Sequence, residues 1–354
     1  MLILLLITIP TTIELMIWII GYFFYKQKPF VKNGSINLAI LVPAHNEEKG
    51  LCATLDSLKA FNHPIILIAD NCTDKTVDIG LKSGVSVIER NDPRFGKPFA
   101  LQFAFEHLEK MPYTHYLIID ADCTASSNLV EEVKSLFHQG YEFVQVRYTF
   151  ERNTPFSRLY YLKLESVNHM RPLARMALNL YPGCLGSGFA LTKESVKKIG
   201  IKESLAEDQA LFYDLCLNEI SQVFTDKASV TAKAPPDKKA FNIQNQRWDK
   251  GRFQLIQDYF VSLIKAKKIE LACNLLVLPL SYYLLLLILV LISYPLYSLI
   301  GFILVLIHYT QTFFLSNGTK EDLYALRLIP ELIFMKIAAI PNLLRTTKWK
   351  KTPR

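Results

Sequence analysis

Two carboxylates one residue apart, Asp120 and Asp122, follow the apolar run 116–119, Tyr-Leu-Ile-Ile. Runs rich in β-branched and aromatic residues mark buried strands, so this pair stands where a strand stops. If the chain stays extended there, period-two geometry sends both side chains from one face, with Cα atoms roughly 7 Å apart. Anions held that close repel one another unless a cation joins them. Mg²⁺ or Mn²⁺ prefers such hard oxygens and commonly shares its shell with a phosphate. The competing reading is a solvated acidic turn, and the rest of the chain has to discriminate.

The elements that would position the pair come from hydrophobic periodicity. Strands are expected at 38–42, 65–69, 85–88, 116–119 and 143–146, with helices such as 47–59 and 98–110 between them. This alternation predicts an α/β domain built on a mostly parallel sheet, in which ligands gather beyond the carboxyl ends of the strands. The polar signatures fall there: Pro43-Ala44-His45-Asn46-Glu47-Glu48 after the first strand, Asp70-Asn71-Cys72-Thr73-Asp74 after the second, and the Asp pair after the fourth. Acids at three separate strand ends favour a site over a surface turn. No Walker loop appears and no GxGxxG follows a strand. The glycine-rich 183–188, with Gly186, Ser187 and Gly188, is either a tight loop or backbone brought close to a bulky ligand. Beyond Glu207-Asp208 a helix is expected at 209–217 and a strand near 229–232, and Pro235-Pro236 closes the globular part.

The 354 residues are 51% hydrophobic, and the apolar ones are unevenly spread. Residues 1–25 contain one charge, Glu14, and are long enough to span a bilayer; with neither a basic start nor a small-residue cleavage site, they read as an uncleaved anchor. Residues 271–292 and 295–315 read as a transmembrane hairpin, within a segment 271–316. Glu14 has no partner evident in the sequence; it lines a passage or faces another helix. Lys26, Lys28 and Lys32 after the first span, with Lys265, Lys267 and Lys268 before the second, place the domain between them in the cytoplasm by the positive-inside rule. The formal charge of +8 gathers in these lysines and in the tail Arg345, Lys348, Lys350, Lys351, Arg354, so anionic lipid explains it better than nucleic acid. Aromatic residues are not interleaved with the basic clusters as a nucleic-acid surface requires. The six cysteines lack CxxC spacing and are expected to be free thiols. Phe253, Ile256, Phe260, Leu263 and Ile264 recur at helical spacing, which suits a helix along the membrane surface within 234–268; residues 320–354 read as an interfacial segment and basic tail.

Four of these features in order resemble the membrane-integrated family 2 glycosyltransferases, the group of cellulose, hyaluronan and chitin-oligosaccharide synthases and ceramide glucosyltransferase. They are the acid Asp70, the Asp120-x-Asp122 pair, the acids Glu207-Asp208 at a helix start, and Gln244-x-x-Arg247-Trp248. The resemblance implies a GT-A fold over 36–233 and an inverting transfer of a sugar from a nucleotide diphosphate, usually uridine diphosphate. By that likeness Asp70, Asp120, Glu47, Lys97, Gln244 and Arg247 serve the nucleotide sugar, and Asp120 and Asp122 hold Mg²⁺ or Mn²⁺. Asp208 is the base, while Gly186, Ser187, Gly188, Glu207 and Trp248 face the acceptor. Lys97 is otherwise a solvated lysine, and Trp248 otherwise an interfacial anchor. Ala206 stands where many relatives carry threonine. Partners implied are a sugar nucleotide, membrane lipid and a saccharide or lipid acceptor. Three spans are few for a polymer channel, so the product is short or lipid-linked, or a channel is shared with further copies or export partners. A membrane-anchored nucleotide or carbohydrate binder that has lost catalysis is the alternative from another class.

Overall fold

The computed structural model describes residues 1–31, 35–94, 96–200, 204–235, 238–331 and 333–334. Lys32, Pro236 and the basic tail from Arg345 lie outside the described residues. The chain divides into two compact units, one of Gln27–Phe150 with Tyr181–Lys233, the other of Met1–Lys26, Glu151–Leu180 and Ala234–Arg354. The sequence division keeps 151–180 within a 36–233 domain. Residues 151–180 leave the sheet domain and join the helices.

The sheet unit carries eight strands: β1 Leu38–Ala44, β2 Ile65–Asp70, β3 Ser86–Arg90, β4 His115–Ile118, β5 Cys123–Ala125, β6 Phe143–Phe150, β7 Phe189–Thr192 and β8 Gln222–Ala232. Their order is β3-β2-β1-β4-β7-β6-β8-β5. The pairs β1–β2, β1–β4, β2–β3 and β6–β8 are parallel, whereas β7 runs antiparallel to β4 and β6, and β5 antiparallel to β8. β2 is buried along its whole length and β1 nearly so, as continuous apolar runs covered on both faces must be. Helix Leu51–Lys59 turns Leu51, Thr54, Leu55 and Leu58 inward, the 3.6-residue stripe of a helix lying on a sheet. The six expected strands form, the one near 229–232 as the end of the longer β8, and 47–59 begins as a helix only at Leu51. The short antiparallel β5 and β7 are additions.

In the helical unit, Leu2–Phe24 and Pro295–Leu315 are long and apolar enough to cross a membrane. At 1.5 Å per residue each exceeds or matches a hydrocarbon core of about 30 Å. The expected single helix over 271–292 is instead broken, with Ile269–Leu275 and Leu280–Val290 meeting at 89°. Pro279 is the physical reason, since its ring excludes a helical predecessor and it has no N–H to continue the ladder. The freed backbone is satisfied by side chains: Leu278 N donates to Thr11 Oγ1 at 2.9 Å, and Arg252 donates to the Val277 carbonyl. Counting that bent pair as one span would give three.

Glu14 faces other helices. It is buried and accepts from Arg175 Nη1 at 2.6 Å, Asn274 Nδ2 at 2.9 Å and Trp18 Nε1 at 2.6 Å. Arg175, wholly buried, reaches Glu270 with its other nitrogen at 2.7 Å, and Arg171 donates to Asn274 Oδ1 at 3.1 Å. Gly21 allows the first helix this close, because a Cβ there would lie 2.1 Å from the Ala174 carbonyl oxygen.

Candidate active site

Asp120 and Asp122 do not leave one face of an extended strand. β4 ends at Ile118, and residues 121–122 form a turn closed by Cys123 N donating to Asp120 O at 3.1 Å. The turn nevertheless converges the carboxylates: one oxygen from each, together with Cys123 Sγ, lie within 4.8 Å of one another. Thr54 Oγ1 donates to the Ala121 carbonyl at 2.8 Å, tying the turn to helix Leu51–Lys59. Asp120 N donates to Ser187 Oγ at 3.0 Å, tying it to the glycine loop. The donor set suits a hard divalent cation, because two half-buried carboxylates converge and the third member is a buried thiol whose pKa burial raises, leaving it neutral.

The loop 183–188 is fixed by a residue the sequence pattern does not single out. Gln145, on β6 and fully buried, donates through Nε2 to the carbonyls of Ser187 at 2.8 Å and Gly188 at 3.2 Å, and accepts from Leu185 N at 2.9 Å. A polar residue between Val144 and Val146, in a strand buried on both faces, is the signal that would have found it. Gly188 has φ +67°, and a Cβ there would lie 2.8 Å from Val146 and 2.9 Å from Val230. Glycine is required at that position. Gln209 Nε2 donates to the Cys184 carbonyl at 2.7 Å, docking helix Glu207–Leu217 on the same loop. That helix start carries Glu207 and Asp208, and a Cβ at Gly186 would stand 3.6 Å from Asp208 Oδ2.

Lys97 opens helix Lys97–His107 and is mostly buried, so the solvated-lysine reading does not hold. Its ammonium donates to Asp120 Oδ1 and to the Gly186 carbonyl. Burial works against the charge, but the Asp120 carboxylate outweighs it and holds the lysine pKa above its ordinary value.

Asp70, at the end of β2, is buried and paired with Arg90 Nη1 at 2.6 Å. Arg90 also meets Asp92 at 3.1 Å and donates to the Arg94 carbonyl at 2.8 Å. Gly96 N approaches the other Asp70 oxygen at 3.4 Å. Arg90 is thus a second residue the sequence reading passes over. The loops after β1 and β2 interlock: Asn46, at φ 54°, accepts from Thr73 N at 2.7 Å, and Glu47 N donates to Thr76 Oγ1 at 2.8 Å. His45 Nδ1 lies 2.7 Å from the Asp70 carbonyl.

Gln244, Arg247 and Trp248 belong to the other unit, on the long helix Lys238–Lys265. Gln244 is buried and accepts from Tyr160 Oη at 2.9 Å. Lys163 lies over the Trp248 ring at 5.2 Å and donates to Asn245 Oδ1 at 2.8 Å. Arg247 Nε is buried without a hydrogen-bond partner among the described residues. Such a donor suits an anion with several oxygens.

Residues 39–200 match the glycosyl transferase family 2 model. The matched residues include Asp70, Lys97, the Asp120–Asp122 turn and the glycine loop, while Asp208 and the Gln244 group lie beyond them. Among curated proteins, the chain is 25% identical over 287 residues to the poly-beta-1,6-N-acetyl-D-glucosamine synthase of Staphylococcus epidermidis, covering 72% of this chain and 66% of that one. It is 27% identical over 108 residues to a low-salt glycan biosynthesis hexosyltransferase of Haloferax volcanii, covering 29% of this chain and 25% of that one. The chain therefore spans a quarter and just under two thirds of these relatives. Among solved structures, a mannosyltransferase from Pyrobaculum calidifontis in complex with GDP-Man and Mn²⁺ aligns over 92% of this chain and 98% of its own, with a TM-score of 0.53 and 16% identity. That is a likeness of fold, and the fold is GT-A, a Rossmann-like, mostly parallel sheet with mixed strands.

Proposed function

We propose that this chain is a metal-dependent, inverting glycosyltransferase that moves a hexose-type sugar from a nucleotide diphosphate, uridine diphosphate by the family's habit, to a growing oligo- or polysaccharide at the cytoplasmic face of a membrane. The observation that carries this reading is the convergence of Asp120 and Asp122 beside a glycine loop whose Gly186 faces Asp208. The match of residues 39–200 supports the reaction class, and the two long apolar helices support membrane attachment. Lys26 and Lys28 on one side of the domain and Lys265, Lys267 and Lys268 on the other support the cytoplasmic orientation.

In this mechanism the acceptor hydroxyl attacks the anomeric carbon as the bond to the diphosphate oxygen breaks, and inversion follows from the single displacement. Asp208 takes the hydroxyl proton; a positioned base of this kind contributes roughly 10² to 10⁴ in rate. Asp120 and Asp122 would hold Mg²⁺ or Mn²⁺, which when bound neutralises charge building on the departing diphosphate. Lys97 offers a further donor to the phosphates, and Asp70 and Glu47 line the nucleoside side. Trp248 offers a flat apolar face to the acceptor sugar.

The test supplies purified full-length protein and its membranes with a panel of labelled sugar nucleotides and Mn²⁺. Alcohol-precipitable label is expected; label entering organic solvent would move the acceptor to a lipid. Asp208→Asn should lower transfer at least about a hundredfold while nucleotide binding persists. Transfer at the wild-type rate would remove the base assignment, and nucleotide binding with neither hydrolysis nor transfer of any donor would leave a binding protein.

A further inference from the structure

A cationic group of the protein itself is bonded to the Asp120–Asp122 pair. Lys97 Nζ bonds Asp120 and the Gly186 carbonyl together, occupying one of the carboxylates that a divalent ion would need. A metal ion and an ammonium cannot share that carboxylate without repulsion between them, in surroundings where water screens poorly. Lys97 is tethered at the first residue of its helix, but its four-carbon stem lets the charged end move several ångströms without backbone change. To leave Asp120 it needs another anion. A nucleotide diphosphate, arriving with the metal, supplies one.

We propose that Lys97 is a displaceable cation that makes metal binding at Asp120 and Asp122 conditional on the nucleotide diphosphate. This rests on the glycosyltransferase reading above. With metal alone, the incoming ion competes with the lysine for the same oxygens and binds weakly. With the diphosphate present, the lysine transfers to phosphate oxygen, both carboxylates turn to the metal, and each ligand tightens the other by the same factor, as linkage requires. Lys97 is then a positioning residue for the metal, in addition to any contact it makes with the donor.

The experiment titrates Mn²⁺ into full-length protein in detergent, follows free Mn²⁺ by electron paramagnetic resonance, and repeats the titration with UDP and with uridine. In the wild type, UDP should raise Mn²⁺ affinity at least about fivefold, the lower end of common coupling factors, and uridine should not. Lys97→Met should raise Mn²⁺ affinity in the absence of nucleotide by a similar factor and shrink the effect of UDP; Lys97→Arg should keep the wild-type pattern. Unchanged or weaker Mn²⁺ binding by Lys97→Met without nucleotide, at an unaltered melting temperature, overturns the proposal. Should that variant unfold, Lys97→Gln takes its place, and equal wild-type affinity with and without UDP overturns the proposal without any variant. Absence of Mn²⁺ binding even with UDP overturns the metal-dependent reading as well, so the two failures are distinguishable.

Discussion

Replacing Gln145 with leucine tests whether the proposed site is held from below, by a buried residue of β6. The two side chains are close in size, so the change is chiefly chemical. The wild-type amide joins Leu185 N, Ser187 O and Gly188 O inside a strand from which water is excluded. Gly188 O keeps a second donor, Val146 N at 2.9 Å, and Val146 O, which accepts from the same Nε2 at 2.8 Å, belongs to the β6–β8 pairing, so the cost is counted on Leu185 N and Ser187 O. A buried group stripped of its partner costs about 1–3 kcal/mol, which for two such groups gives roughly 2–6 kcal/mol, toward the lower end if the loop shifts to meet water. Because Ser187 Oγ also accepts from Asp120 N, the disturbance should reach the carboxylate turn. Thermal unfolding in detergent should show a lowered midpoint, and Mn²⁺ binding in the presence of UDP should weaken severalfold. A variant melting within a degree of wild type, with full metal affinity and transfer, would refute the claim that this amide organises the site.

Two further outcomes concern the rest of the molecule. His115, packed against Phe137 at the start of β4, has its pKa pushed down to about 4 by burial. Since the unfolded chain binds that proton more readily, stability is full above about pH 6.5 and is lost as pH falls toward 4. Melting curves across that interval should show the decline, and His115→Gln should flatten it. In the helical unit, Arg175→Met should destabilise by about 3–5 kcal/mol by leaving Glu14 and Glu270 facing each other. Adding Glu14→Leu should recover part of the loss, read from inactivation temperatures; no recovery would remove the ion network from the account.

What the sequence reveals depends on the range of the interactions involved. β1 and β2 are legible because each is a continuous apolar run, and strand ends carry the acids that betray a site. β5 and β7 are not, since three and four residues carry no periodicity and their pairing is set by distant partners, β8 for one and β4 and β6 for the other. The Asp pair is legible, but its geometry is not: an extended strand would align the side chains, whereas a turn brings them together. Residues 151–180 carry no compositional mark of their unit. Their allegiance depends on Arg175 meeting Glu14 across 161 positions, a relation invisible to any local window. Pro279 lies within a long apolar stretch, where hydropathy alone predicts an unbroken span and the break at proline does not show. Gln145 and Arg90 act through other residues and so left no motif.

The same acid–base pairing sets an order of events at the ribosome. A first helix that enters the bilayer as it is made carries Glu14 there before the guanidinium that will neutralise it exists. At roughly 5–20 residues per second, the 161 residues from Leu15 to Arg175 take about 8–32 s to translate. For that interval Glu14 has no cationic partner, and the helical unit can close only after Gln27–Phe150 of the sheet unit has been made and the segment carrying Arg175 has followed it.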